Sequence, residues 1–403
     1  MSATPLAGVR ILDLTTTVSG PVATLRLAQY GAEVIKIEAR DGDVLRSLGG
    51  ESPTGGQSGQ YLHLNRGKRA ACLDLKREEA RAAARRLLST CDVLVSNMRP
   101  EALDRLGLGA AETRAADPRL IHCVITGFGP GGPYRGRPAY DSVVQGASGL
   151  VGLHIQRDGD AMFIPLLLSD HIVGEITAGA VIAALFERSR TGLGSAVEVP
   201  MLETMAAFVL QEHLSRATFV PPIGPAGDER VLNPATRPVR TRDGWITLTS
   251  NTDEQCGRML AVLGHPELLD DPRFRTVGDR VRNVGEWLRL RQELLQERTS
   301  ADLLAAFGQA DVPAMPCHTL ATLVDDPHLK AVALLQPDVH PVEGPIRAIR
   351  PTILADGEPA PIGRAAGPIG GDTRDVLALA GYGSAEIEAL LASGAACEAP
   401  RPR

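Results

Sequence analysis

Apolar positions along the first half of the chain follow two alternating rhythms. Val9 to Leu14 is a short β-branched run, followed by the turn residues Ser19-Gly20-Pro21. Helical spacing then runs from Val22 to Tyr30, Gly31 closes it, and a second strand-like run spans Glu33 to Glu38. A strand, a helix and a strand in that order predict a right-handed crossover and a parallel sheet. The alternation continues with strands at Cys72–Leu75, Asp92–Asn97 and Leu120–Thr126, and helices at Glu78–Leu88 and Ala102–Leu106. A glycine-rich loop, Gly127 to Pro133, interrupts it. Helices at about Tyr140–Gly152, Asp170–Arg188 and Met201–Ala217 and a strand at Ser195–Val199 complete an open α/β domain. Ligands of such domains sit beyond the carboxyl ends of the strands.

The grammar then changes. Residues 219–234 are rich in Pro and Gly and read as a linker. Asp243-Gly244 between alternating apolar residues predicts a hairpin, and helical spacing follows at Glu254–Leu263, Val281–Gln296 and Ser300–Gln309. Residues 235–333 are therefore expected to form a smaller α+β domain. Residues 334–370 read as an extended return linker, and 371–403 as a helical tail that completes a large domain begun by 1–218.

Composition narrows the function. The 403 residues carry a net charge of −6, which argues against nucleic acid as the main partner. The longest apolar stretch, Ile164 to Phe186, is broken by Asp170, His171 and Glu175, so it reads as a buried helix rather than a membrane span. The N-terminus lacks the basic head and apolar stretch of a signal peptide. The six cysteines form no CxxC pair and are expected to be reduced thiols in a cytoplasmic enzyme.

Several chemistries lack their motif. Glu38 ends the second strand where a ribose-binding acid would lie, but Gly20 alone stands where G-x-G-x-x-G needs three glycines, so an oxidoreductase reading is weak. No G-x-S-x-G elbow occurs. His171 and Glu175 beside Asp170 do not complete a ligand set, and no metal is expected. Asp170 stands out, because it follows an apolar run and opens an apolar helix. It is either an N-cap, holding free backbone N–H groups, or a nucleophile beside donors that stabilise an oxyanion. Two basic clusters suit a pyrophosphate: Asn65-Arg66-Gly67-Lys68-Arg69, and Asn97-Met98-Arg99-Pro100 with Arg105.

The stretches PLAGVRILDLTTTVSGP, GAEVIKIE, LNRGKRAACLDLK, DVLVSNMRPEALDRLGLG, RPAYDSVVQGASGL and LLLSDHIVGEITAGAVIAALFERSRTGLGSAVEVPMLE together resemble the class III (CaiB/BaiF type) CoA-transferase family. The resemblance runs from about Pro5 to Gly394. It implies a large Rossmann-like domain built from both termini, a small domain, and an interlinked homodimer. It implies an acyl-CoA and a carboxylic acid as substrates, with coenzyme A as substrate and product and no bound cofactor. Asp170 matches the family's catalytic aspartate, and Tyr140 and Asp141 support the site. Thr16, Thr17, Val18, Ser19, Arg40, Leu73, Asn97, Met98 and Arg105 match CoA-binding positions.

The match has departures. Ala39 and Pro138 replace an arginine and a lysine of formyl-CoA transferase, and no glycine-rich flap is evident near Gly224–Gly227. The racemase branch of the family needs two bases, and its histidine position is Tyr140, a poor base at neutral pH. Transfer is therefore expected over racemisation.

Overall fold

The structure, a computed structural model, describes residues 4–399. Six segments rich in apolar residues form strands β1 (Arg10–Leu14), β2 (Glu33–Glu38), β3 (Arg69–Leu73), β4 (Val93–Ser96), β5 (Ile121–Thr126) and β6 (Ala196–Pro200). They lie parallel in the order β3-β2-β1-β4-β5-β6. The short strand Ala396–Cys397 adds itself antiparallel at the β3 edge. Because successive strand residues point to opposite faces, Leu12, Leu14, Ile35 and Leu94 pack into one apolar cluster while Ile11, Val34, Val93 and Val95 pack into another. Helices cover both faces, as a parallel sheet requires.

The chain divides into two compact units. Met1–Gly149, Phe163–Phe208 and His328–Arg403 form one, and Leu150–Met162 with Val209–Pro327 form the other. These boundaries differ from the sequence reading: residues 209–218, expected in the large domain, belong to the second unit, and 328–333, expected in the small one, belong to the first. The stretch read as a linker at 219–234 is folded into the second unit, where Gly227 N donates to His213 O at 2.7 Å and Arg216 pairs with Glu229. Leu150–Met162 joins that unit, with Gln156 Nε2 reaching Ala226 O at 3.4 Å. The expected return linker at 334–370 belongs to the first unit. It forms a hairpin of Leu335–His340 and Gly344–Ile349, held by Arg66–Asp338 at 2.6 Å and His340 Nε2 to Ala366 O at 2.7 Å.

In the second unit, strands Val239–Arg240, Trp245–Leu248 and Ala314–Pro316 make a small antiparallel sheet. Helices Asp253–Leu263, Val284–Leu295 and Ser300–Gln309 pack on it through Met259, Leu260, Trp287, Leu303 and Phe307.

One expectation about cysteine fails. Cys72 and Cys397 stand opposite each other on paired strands, with Cα atoms 5.2 Å apart, and are joined in a disulfide. Their separation of 325 residues hid this from the sequence, because the pairing exists only once the C-terminal strand docks on β3. Cys91, Cys123, Cys256 and Cys317 are free thiols.

Helix Leu168–Thr191 is long and apolar enough by length and composition to cross a membrane. Here it buries one stripe, Asp170, Val173, Thr177, Val181 and Ala184, within the first unit. Gly174 is needed for that packing. A Cβ there would sit 2.6 Å from Ser19 O and 2.7 Å from Val22, so only glycine lets this helix touch helix Ser19–Gln29.

Candidate active site

The chain runs outward from β1 to β3 and then returns on the other side through β4. That reversal opens a crevice at the carboxyl ends of β1 and β4, the place where open α/β sheets bind ligands. A cavity of about 350 Å³ lies there, lined by Thr16, Thr17, Ser19, Asn97, Tyr140 and Asp170, among others. Ser19 and Tyr140, 121 positions apart in the sequence, come to one cavity only through the fold.

The loop after β1 is held rigidly. Asn97 clasps it in both directions, its Oδ1 accepting from Thr16 N at 3.0 Å and its Nδ2 donating to Thr16 O at 2.8 Å. Lys36 Nζ donates to Thr15 O at 2.6 Å, and Asp43 Oδ1 accepts from Thr17 N at 3.0 Å. Thr17 has φ of 68°, in the left-handed region that a β-branched side chain resists. Such a conformation costs roughly 1–3 kcal/mol and persists only where surrounding bonds hold it. Asp43 and Lys36, themselves an ion pair at 3.0 Å, supply those bonds.

Beneath the loop lies a fully buried network. Asp13 accepts from Thr15 Oγ1 and Thr24 Oγ1, both at 2.6 Å, and faces Lys68 Nζ at 3.2 Å. Burial would raise the Asp13 carboxyl, but the Lys68 and Lys36 ammoniums and the two threonine hydroxyls overcome it and hold the group down at about 2. Lys68 and Arg66 are therefore scaffold residues, and the expected pyrophosphate cluster at 65–69 does not line the cavity. Glu38 is also committed to structure. It binds Arg46 at 2.6 Å and accepts from Tyr61 OH at 3.0 Å, so it is no ribose ligand.

Asp170 lies in the first turn of its helix and is 8% exposed. It is not the N-cap, whose position is taken by Leu167 without a side-chain bond. The free N–H groups are satisfied instead by Asp141, whose Oδ1 accepts from Ser169 N at 2.8 Å and Asp170 N at 3.3 Å. Gln145 Nε2 in turn holds Asp141 Oδ2 at 2.7 Å and also donates to Leu166 O at 3.0 Å, while its Oε1 accepts from Ile164 N at 3.0 Å. Asp141 and Gln145 thus set the direction in which the Asp170 helix starts. Burial, and then the nearby Asp141 charge, push the Asp170 carboxyl up to about 7, against a stabilising hydrogen bond from the Ser19 side chain. A carboxyl so perturbed in a cleft is a candidate for the chemistry of the site.

The other expected positions divide. Met98 lines the cavity with Asn97. Val18 is buried behind the loop among Val22, Tyr61 and Leu62. Leu73 is a core residue at the end of β3, and Arg40 donates to Gly394 O at 2.8 Å. Arg105 ends the short helix Pro100–Arg105, outside the cavity lining. Arg99, from the second basic cluster, lines the cavity, and so do Arg135 and Arg137, which the sequence reading did not single out. Arg137 stands next to Pro138, so the basic group is displaced by one position rather than lost. The adjacent Gly127–Pro133 and Arg135–Tyr140 segments carried that signal in the sequence. Among the described residues, no group of three His, Cys, Asp or Glu could hold a metal ion.

A parallel sheet with a buried carboxylate at its switch point defines an α/β enzyme fold, and the family follows from comparison. The chain belongs to CoA-transferase family III, whose model matches residues 6–373. It is 31% identical to the succinyl-CoA:glutarate CoA-transferase of Mus musculus, covering 97% of this chain and 90% of that one. It is 32% identical to the succinate–glutarate CoA-transferase of Agrobacterium fabrum, covering 93% and 95%. The crystal structure of a CAIB/BAIF family protein from Brucella suis superposes with a TM-score of 0.80 at 28% identity, covering 94% of this chain and all of that one.

Proposed function

We propose that this family III CoA-transferase moves coenzyme A from an acyl-CoA thioester to a carboxylic acid through a covalent intermediate on Asp170. A carboxylate oxygen of Asp170 attacks the thioester carbonyl, the C–S bond breaks, and CoA leaves as thiolate. Thiolate then attacks the Asp170 carbonyl of the mixed anhydride, releasing the donor acid and leaving an aspartyl-CoA thioester. The acceptor carboxylate attacks that thioester, and the thiolate released attacks the acceptor carbonyl of the second anhydride. Asp170 is restored, and no net proton or electron is consumed.

The observation that carries this reading is the raised, buried Asp170 carboxyl in a cavity with Ser19 and the clasped Thr16–Thr17 loop. Arg99 and Arg137 supply positive charge for an acid or a phosphate. Racemisation needs a second base, and no histidine is among the cavity-lining residues. Two relatives are named for succinate and glutarate, so succinyl-CoA with glutarate is the first pair to assay.

Intact-mass spectrometry after incubation with succinyl-CoA and hydroxylamine is expected to show an adduct on Asp170 of the wild type and none on Asp170→Ala. An adduct retained in the variant would sink the mechanism.

We further propose that the working form is a homodimer. Leu166, Ile176, Phe186 and Phe208 are all exposed apolar side chains of the first unit, and Leu166 and Ile176 flank Asp170 in sequence. A second copy of the chain would cover them. Light scattering should give twice the chain mass, and a monomer at assay concentration would contradict this assignment.

A further inference from the structure

A buried charge is costly unless an opposite charge meets it. Among the described residues four arginines are buried: Arg46, Arg66, Arg280 and Arg291. Three have carboxylate partners, Glu38 at 2.6 Å, Asp338 at 2.6 Å and Asp253 at 2.5 Å. Arg291 has no carboxylate within ion-pair distance. Its Nη2 donates to Leu248 O at 3.1 Å, and its Nε has no acceptor. Burial pulls the guanidinium below its ordinary range, and its charge is opposed by nothing stronger than the buried Cys256 thiol.

The place where Arg291 sits is a cavity of about 610 Å³ in the second unit. Four arginines line it, Arg230, Arg237, Arg280 and Arg291, and the lining contains no Asp or Glu. Ser250, also in the lining, has a buried hydroxyl with no hydrogen-bond partner. The indole of Trp287, one helical turn before Arg291, gives an apolar wall. A solvated basic face would not bury a guanidinium, and a structural arginine would have a counter-charge as the other three do.

We propose that this cavity is a binding site for a small organic oxyanion, a carboxylate or a phosphate. Its charged end pairs with Arg291 and accepts the Ser250 hydroxyl, and its body lies against Trp287. The ligand supplies the missing counter-charge. The site is built wholly from the second unit and does not depend on the Asp170 mechanism.

The test is thermal unfolding of the full chain with inorganic phosphate, succinate or glutarate, each against sodium chloride at equal ionic strength. Wild type, Arg291→Met and Ser250→Ala are compared. At least one oxyanion should raise the wild-type Tm, and which one does distinguishes phosphate from carboxylate. In Arg291→Met that shift should vanish, while its ligand-free Tm equals or exceeds the wild-type value because an uncompensated buried charge is gone. Ser250→Ala should weaken binding by about tenfold, and it carries the test if Arg291→Met does not fold. No shift beyond the salt control, or a shift untouched in both variants, would overturn the proposal.

Discussion

On the proposed mechanism, replacing Asp170 with alanine or asparagine is expected to abolish CoA transfer, lowering kcat by at least about 10⁴, because it removes the carboxylate that carries the acyl and CoA intermediates. Steady-state assays with an acyl-CoA donor and a carboxylate acceptor measure this. The same residue sets the pH dependence. Only the ionised carboxyl attacks a thioester, and burial beside Asp141 holds it at about 7. The wild-type kcat/KM should therefore climb through neutrality and level off above pH 8.

Stability runs the other way. The folded group binds its proton more tightly than the unfolded one, whose ordinary value is 3.8. Its contribution to stability is whole below about pH 4 and is lost as pH rises through 7. At about 1.36 kcal/mol per unit, the loss approaches 4 kcal/mol by pH 8 as an upper limit. Asp170→Asn should consequently unfold at a higher temperature than wild type at pH 8 and at nearly the same temperature at pH 4. An inactive variant that is less stable than wild type at pH 8 would show that Asp170 is a structural group, and a variant with full turnover would remove it from the mechanism.

The second large effect is expected at Asp13. Asp13→Ala leaves the buried Lys68 and Lys36 with Asp43 as their nearest remaining counter-charge and frees the hydroxyls of Thr15 and Thr24. Breaking one side of a buried ion pair costs about 3–5 kcal/mol. Lys68, already pulled down to about 8 mainly by burial, loses the partner that resists this and sheds its proton near neutrality. The loss should therefore be smaller at pH 9 than at pH 6. Wild-type stability supports the same assignment from the acid side. The Asp13 contribution is present above its unfolded value of 3.8 and is lost as pH falls towards 2. Urea unfolding at the three pH values reads all of this. A change below about 1 kcal/mol would mean that the network is not what holds the Thr15–Ser19 loop.

Much of this architecture was legible from periodicity. The run Glu33–Glu38 matches its strand residue for residue, and four other strands fall within a residue of the expected bounds at each end, because buried parallel strands are mostly apolar on both faces. The strand expected at Cys72–Leu75 begins three residues earlier, at Arg69, and ends at Leu73. Helix Glu78–Leu88 was equally plain, with Glu at its start and Arg in its last turn. The short helices Gly59–Leu64 and Ala110–Ala116 escaped, since one or two turns carry too few positions to show a period. Asp170 was recognisable because a carboxylate between two apolar runs needs a reason. Its competing reading as a cap could not be separated from sequence, since the true acceptor for those N–H groups is Asp141, 29 residues earlier.

The order of apolar and polar residues along this chain determined its strands, its helices and the identity of its one conspicuous carboxylate, because those follow from neighbours a few positions apart. Tertiary structure alone decided which charges are scaffold and which are chemistry. Lys68, Arg66 and Glu38 look like ligand-binding groups in the sequence and are consumed by ion-pair partners, whereas Arg137 looks incidental and lines the cavity. Likewise only the fold joins Cys72 to Cys397 and leaves Arg291 buried without a counter-charge. The energy of a charge depends on what surrounds it in three dimensions, and the linear order of residues does not contain that environment.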